Sequence, residues 1–176
     1  RALVEYLGIR GYGVHLVAYY KEKNNFKIWT PLRSKDKRVE PNKLDNTVAG
    51  GISAGESLYQ ALFRESYEEA SLKKKQLSSA VQVGTINYNW RNKKYSLRRD
   101  TLFIFDLELP KNIIPKNNDG ELTKFKLFDH KKIIEKIKNT KEFKKNCALV
   151  LASFFIRRGI INSKNEKDYE SICKML

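Results

Sequence analysis

Cysteine is nearly absent from the 176-residue sequence. Cys147 and Cys173 are too few for a disulfide framework, and neither has a partner at zinc-ligand spacing. Both fall in segments that read as helix. They are expected to be reduced thiols, with Cys147 as small core filler, which suits a reducing, cytoplasmic setting. No apolar run reaches the roughly 18 residues of a membrane helix, so no membrane association is expected. No secretory signal is evident either. The chain opens on Arg1 rather than Met, and the expectation is one domain over 1–176 preceded by a further N-terminal region. Internal repeats and low-complexity linkers are missing. Acidic residues are in deficit, with 20 Asp and Glu against 35 Lys and Arg, a formal net charge of +15. Such a surplus can serve nucleic acid or an anionic membrane. Here the lysines are scattered in short runs, at Lys73 to Lys75, Lys131-Lys132 and Lys144-Lys145. General anion attraction or proteome bias therefore ranks ahead of specific nucleic-acid binding, which stays open.

What the chain does contain is 41% hydrophobic residues, ordinary for a soluble domain with its own core. The most informative stretch is Gly50 to Leu72, GGISAGESLYQALFRESYEEASL. Ser57 and Gln60 stand at the spacing of a capping box, in which each side chain satisfies the other residue's free amide. Leu58, Ala61, Leu62 and Ser66 then fall on one side at helical spacing. Glu65, Glu68 and Glu69 share the opposite face at i, i+3 and i+4. Like charges so placed repel by roughly 0.2–0.5 kcal/mol per pair on an exposed helix. A hard divalent cation, which takes oxygen ligands, would offset that repulsion; three glutamates alone would otherwise read as a solvated face.

Gly50, five residues, Glu56, seven residues, Arg64-Glu65, then Glu68-Glu69 is a pattern that resembles the Nudix box. Two positions depart from it: the box carries an aliphatic residue at Ser66 and a glycine at Ser71. The departures touch helix packing and the helix exit, not the charged positions. The resemblance implies an α/β Nudix sandwich, with a mixed sheet between helices. It implies that Glu65, Glu68 and Glu69 supply metal-binding and base carboxylates, with the backbone carbonyl of Ala49 as a further ligand. Glu56 and Arg64 would brace the loop against the helix, and Gly50 would let the chain approach the metal closely. The cation implied is Mg2+, with Mn2+ as an alternative.

Flanking residues resemble one Nudix branch, the one related to fungal thiamine pyrophosphokinase. They are Trp29 with Arg33-Ser34-Lys35, Pro41, Leu44-Asp45-Asn46, Val48 to Gly51, Leu97 to Asp100, Asn146-Cys147-Ala148, and Arg157 to Ile161. Members carry Pro-Gly where this chain has Pro41-Asn42; asparagine tolerates the left-handed backbone, so the turn can survive.

Elsewhere, Gly11 to Tyr20 and Phe26 to Pro31 read as paired strands, with His15 as a packed or hydrogen-bonded strand histidine. Leu77 to Tyr88 reads as a strand, Asn89 to Lys94 as a turn, and Tyr95 to Leu109 as a strand that fills both sheet faces. Leu122 to Phe128 is a further strand. Helices are expected from Asp129 to about Lys138, over Glu142 to Arg158 and over Glu166 to Met175. Arg98 and Arg99 are planar double donors suited to diphosphate oxygens, or to pairing with Asp100 or Asp106. Many Nudix enzymes place a carboxylate before the last strand as metal ligand or base; Glu121 is the candidate for that position, or a plain turn glutamate. Trp29, Tyr88, Trp90 and Tyr95 could stack on a flat or cationic ring, or pack in the sheet.

The reaction implied is metal-assisted hydrolysis of a small-molecule diphosphate, with Glu65, Glu69 or Glu121 in catalysis. The branch resemblance implies thiamine diphosphate or its oxidised analogues, yielding the monophosphate and phosphate. A nucleoside diphosphate derivative or oxidised nucleotide, and a basic RNA-binding or decapping-type module, stay open. The sequence does not give an oligomeric state.

Overall fold

A computed structural model describes residues 4–93 and 96–176. Six strands form one mixed sheet in the order β4-β5-β1-β2-β6, with β3 paired to β1. The strands are β1 (Arg10–Glu22), β2 (Asn25–Arg33), β3 (Val48–Gly51), β4 (Val81–Lys93), β5 (Ser96–Glu108) and β6 (Leu122–Asp129). Only β1 and β5 run parallel. The helices are α1 (Val4–Leu7), α2 (Leu58–Ala70), α3 (Lys74–Leu77), α4 (His130–Asn139), α5 (Lys145–Arg157) and α6 (Tyr169–Met175). Among the described residues no helix is long and apolar enough to cross a membrane.

Alternation along the central strands builds two apolar layers. Val17, Tyr19, Leu102 and Ile104 face α4 and α5, meeting Ile133, Val150, Leu151, Phe154 and Phe155. Val14, Leu16, Ala18, Phe105 and Leu107 face α2 and α3, meeting Ala61, Leu62, Ala70 and Leu77. This is the expected αβα sandwich.

The sheet forks at its centre. The C-terminal half of β1 pairs with β2 from Tyr19 to Glu22, whereas Gly13 to Leu16 pairs with β3. Thr47 sits at the fork: its hydroxyl accepts from Ala18 N at 2.9 Å and donates to the Trp29 carbonyl at 2.6 Å. A buried backbone donor and acceptor are thereby satisfied where the ladder splits. Leu44 bridges Leu32 on one side and Phe143 on the other. That bridge sets the N-terminus of α5 beside Asp45.

Several local expectations need correction. β4 runs through Lys93, so residues expected as a turn from Asn89 are strand. Their pairing with β5 extends through Trp90–Arg98, which overrides the weak local signal of the asparagines. Lys74–Leu77 forms a short helix, so the strand expected from Leu77 begins at Val81; Gln76 Oε1 accepts from Lys73 N in that helix, at 2.7 Å. The helix expected from Glu142 begins at Lys145, because Glu142 to Lys144 is bridged to Leu44 through backbone hydrogen bonds rather than wound as helix. Asn42 does take the left-handed backbone, at φ 56°, and so does Ser71, at φ 53°, where the box carries glycine. Tyr95 lies outside the described residues.

Candidate active site

Helix α2 begins as its sequence dictates. Ser57 Oγ accepts from Gln60 N, and Gln60 Oε1 accepts from Ser57 N at 2.8 Å, closing the capping box. The acidic face is not a solvated one. Glu65 is 6% exposed and Glu69 3%, while Glu68 reaches solvent. Ala61, Glu65 and Glu69 follow one another at i+4, beside the buried row Leu62, Ser66 and Ala70. The apolar stripe thus turns acidic as the helix runs into a cavity of about 800 Å³. Ser66 Oγ, where the box carries an aliphatic side chain, is buried without a hydrogen-bond partner.

Gly50 is required by what lies against it. A Cβ there would stand 1.8 Å from the Glu65 carboxyl carbon. Arg64 organises the same wall. Its Nε and Nη2 donate to the two Glu56 carboxylate oxygens at 2.8 and 2.9 Å. Its Nη1 reaches Glu65 at 2.8 Å and Glu68 at 3.1 Å, and Nη2 also reaches the Gly51 carbonyl at 3.0 Å. Glu56 in turn accepts from Ser53 N at 2.9 Å. The brace joins the loop to the helix through both residues. Glu69 accepts from Ala49 N at 2.7 Å. Burial first, then the nearby Asp45 charge, push its carboxyl up to about 8.

These residues fit a hard divalent cation by chemistry. The donors are oxygens, two of the carboxylates are buried, and one holds its proton near neutral pH until a cation offsets its surroundings. Among the described residues no three acidic or ligating side chains are already gathered as a cage. The Arg64 guanidinium stands between Glu65 and Glu68, so loading the site requires those side chains to turn.

The facing wall comes from elements far away in the chain. Asp45, 1% exposed, accepts from Arg33 Nη1 at 2.6 Å, from the Cys147 thiol at 2.6 Å and from Asn46 N at 2.9 Å. Burial alone would raise its pKa, but Lys144 and Arg33 outweigh that and hold it at about 2. His15 lines the cavity and pairs through Nδ1 with Asn46 Nδ2 at 2.8 Å. Burial, then the Lys144 charge, depress it to about 3, so its ring is neutral. Cys147 is buried core, as expected, with its thiol pushed well up by burial. Arg33 also binds the Glu40 and Val39 carbonyls at 3.1 and 2.8 Å, wrapping the charged loop over the cavity mouth.

The remaining expected residues divide. Ala49, Gly50, Glu121 and Arg98 line the same cavity as the glutamates. Glu121 forms an ion pair with Lys37 at the rim. Arg98 Nε donates to Asp100 at 2.6 Å, and Tyr88 donates to the same oxygen at 2.5 Å. Arg99 alternates to the other side of β5, in register with Arg10, and does not line the cavity. Trp29 is buried in the α2-side core, and its indole N–H has no partner among the described residues. Trp90 is half-buried with the Lys145 ammonium 3.4 Å above its ring, so one ring face is taken. The sequence reading gave no functional role to Asp45, Lys144, Asn146 or His15. The one available signal was that two of the flanking motifs contain Asp45 and Asn146.

The family profile described as NUDIX domain matches residues 10–148. Over 165 residues the chain is 39% identical to Nudix hydrolase 20, chloroplastic, of Arabidopsis thaliana, covering 94% of this chain and 44% of that protein. Nudix hydrolase 24, chloroplastic, of the same plant is 36% identical, with 94% and 45% covered. The chain thus spans about half the length of the curated relatives it matches. Among solved structures, the E. coli dihydroneopterin triphosphate pyrophosphohydrolase aligns at TM-score 0.62 and 19% identity, covering 83% of this chain and 95% of that one. A C. elegans Ap4A hydrolase aligns at TM-score 0.58 and 18% identity, covering 86% and 99%. The chain belongs to the Nudix domain family.

Proposed function

We propose that this Nudix-family chain hydrolyses a diphosphate joined to an organic group, and that the group is thiamine or an oxidised analogue of it. The observation that carries the reaction is the α2 wall, where Glu65, Glu68, Glu69, Ala49 and Gly50 meet in one cavity under the Arg64 brace. Two plant relatives that are Nudix hydrolases support the same class. The thiamine reading is supported by the flanking motifs and by the Tyr88–Asp100–Arg98 cluster at the cavity edge.

Glu65, Glu68, Glu69 and the Ala49 carbonyl would hold Mg2+. When bound it neutralises phosphate charge and lowers the pKa of a water. Glu65 or Glu121, which line the same cavity, would take the proton of the attacking water. Each is paired with a cation, Glu65 with Arg64 and Glu121 with Lys37. Arg98, on the cavity wall, offers planar donors to a phosphate once it turns from Asp100.

The test is phosphate release with Mg2+ from thiamine diphosphate, its oxidised forms, ADP-ribose, and nucleoside di- and triphosphates. Preference for the thiamine group is the expected result. Preference for a nucleotide would keep the reaction and remove the thiamine assignment. Release from none would overturn both.

A further inference from the structure

The proposed reaction leaves Lys144 unused. It is 7% exposed, yet it lines the same cavity as Glu65, Glu68 and Glu69. Its ammonium makes no hydrogen bond among the described residues. Its ion-pair partner there is Asp45, at 3.7 Å, and Asp45 is already served by Arg33, Cys147 and Asn46. The wall therefore holds two buried cations against one carboxylate, beside a neutral imidazole and a protonated thiol. A buried ammonium without an acceptor is unfavourable unless an anion completes it.

Two further features favour an anion at this point. Lys144 is the N-cap of α5, a 13-residue helix with no side-chain cap bond, so the positive end of the helix dipole adds to the ammonium. Asn146, in the first turn of the same helix, also lines the cavity. Lys144 is close enough to Glu69 that each favours the other's charged form. A ligand held between them therefore spans from the metal-binding wall to the cation.

We propose that Lys144 binds the terminal phosphate of the substrate, so that the cavity selects diphosphates with a free terminal phosphate over those esterified at both ends. A terminal phosphate carries an extra negative charge and three free oxygens, which suit a compact ammonium with three donors. A second ester group in that position would bury carbon against the ammonium and leave it unsatisfied. The assignment rests on the diphosphate reading of the cavity.

The test compares wild type with Lys144→Met, Lys144→Gln and Lys144→Arg, each checked for a cooperative melt. One readout is kinetics with Mg2+ on the terminal diphosphate that wild type cleaves best and on ADP-ribose, which is esterified at both ends. The other is calorimetry with inorganic diphosphate in EDTA, which needs neither metal nor turnover. Lys144→Met and Lys144→Gln should raise KM for the terminal diphosphate by about tenfold or more, with a smaller change in kcat. The ADP-ribose kcat/KM should move by less than about threefold, and Lys144→Arg should regain part of the loss. In EDTA, both neutral variants should bind inorganic diphosphate at least about tenfold more weakly than wild type. Equal losses on both substrate classes, or wild-type KM in the variants, would overturn the assignment. If wild type cleaves nothing, the reaction reading fails and calorimetry alone decides. Weaker binding in the neutral variants would then support Lys144 as an anion site, while equal binding, or none by wild type, would overturn it.

Discussion

On the α2 wall of the cavity one guanidinium, Arg64, serves three carboxylates, Glu56, Glu65 and Glu68. On the α5 wall one carboxylate, Asp45, serves two cations, Arg33 and Lys144. The first wall is left with surplus negative charge, the second with surplus positive charge. Each surplus lies partly buried, where water screens it poorly and an unpaired charge is expensive. A cation on one side and an anion on the other would relieve both. A metal ion with a diphosphate is a ligand of that polarity. The two walls also differ in support: the α2 wall is a local loop–helix unit, and the α5 wall joins distant segments, with Leu44 bridged to Phe143.

The comparison is broken most severely at Asp45. Asp45→Ala leaves Arg33 and Lys144 buried without their carboxylate and should cost about 3–5 kcal/mol, read by chemical denaturation. A loss comparable to an exposed substitution would mean that the α5 wall holds no net charge problem. Acid should strain the same wall more gently. His15 has a folded pKa of about 3 against 6.5 unfolded, so the unfolded chain binds the extra proton first. Its contribution to stability is complete above pH 6.5 and shrinks as pH falls toward 3. By pH 5 about 2 kcal/mol should be gone, and His15→Gln should flatten that slope in a denaturation series.

The α2 wall is tested by Glu56→Gln, which removes the bidentate partner of Arg64. The expected loss is about 1–2 kcal/mol, reported by the melting temperature, together with lower turnover. An unchanged melting temperature with reduced catalysis would show that Glu56 does not act as a brace. The smallest effect belongs to Ser66, whose hydroxyl is buried and unpartnered. Ser66→Ala should raise stability by about 1 kcal/mol in the same assay, since it removes an unsatisfied polar group.

How much of this was legible in the sequence follows from the distances along the chain. The α2 wall lies within Ala49 to Glu69, where helical spacing groups Glu65, Glu68 and Glu69 and the family resemblance adds Ala49, Glu56 and Arg64. Capping at Ser57 and the left-handed turn at Asn42 were readable because their causes are local. The burial of Glu65 and Glu69 was not read, although Ala61 stands at i−4 to Glu65 on the same row. The spacing and the family resemblance give these residues a cation to meet, but the cavity that buries two of them is tertiary. Trp29 and Trp90 had the composition of a stacking set, but sheet alternation placed Trp29 in the core. Lys144 looked like one of many surface lysines. Nothing near it in sequence announces Asp45, which reaches it only through the Leu44 bridge.

The measurement that tests the account most directly is Mg2+-dependent phosphate release by wild type and Glu69→Gln, on the diphosphate that wild type cleaves best, between pH 6 and 9. Burial pushes the Glu69 carboxyl up to about 8, and as the proposed ligand it would have to lose its proton to take a cation. Wild type should therefore need less Mg2+ as pH rises, by about tenfold per unit below that pKa. Glu69→Gln should release phosphate at least about a hundredfold more slowly, with the fold retained, because a neutral amide cannot take over the ligand's charge. Turnover and Mg2+ dependence in Glu69→Gln equal to wild type would contradict the assignment of the α2 wall as the metal-binding, hydrolytic side of the cavity.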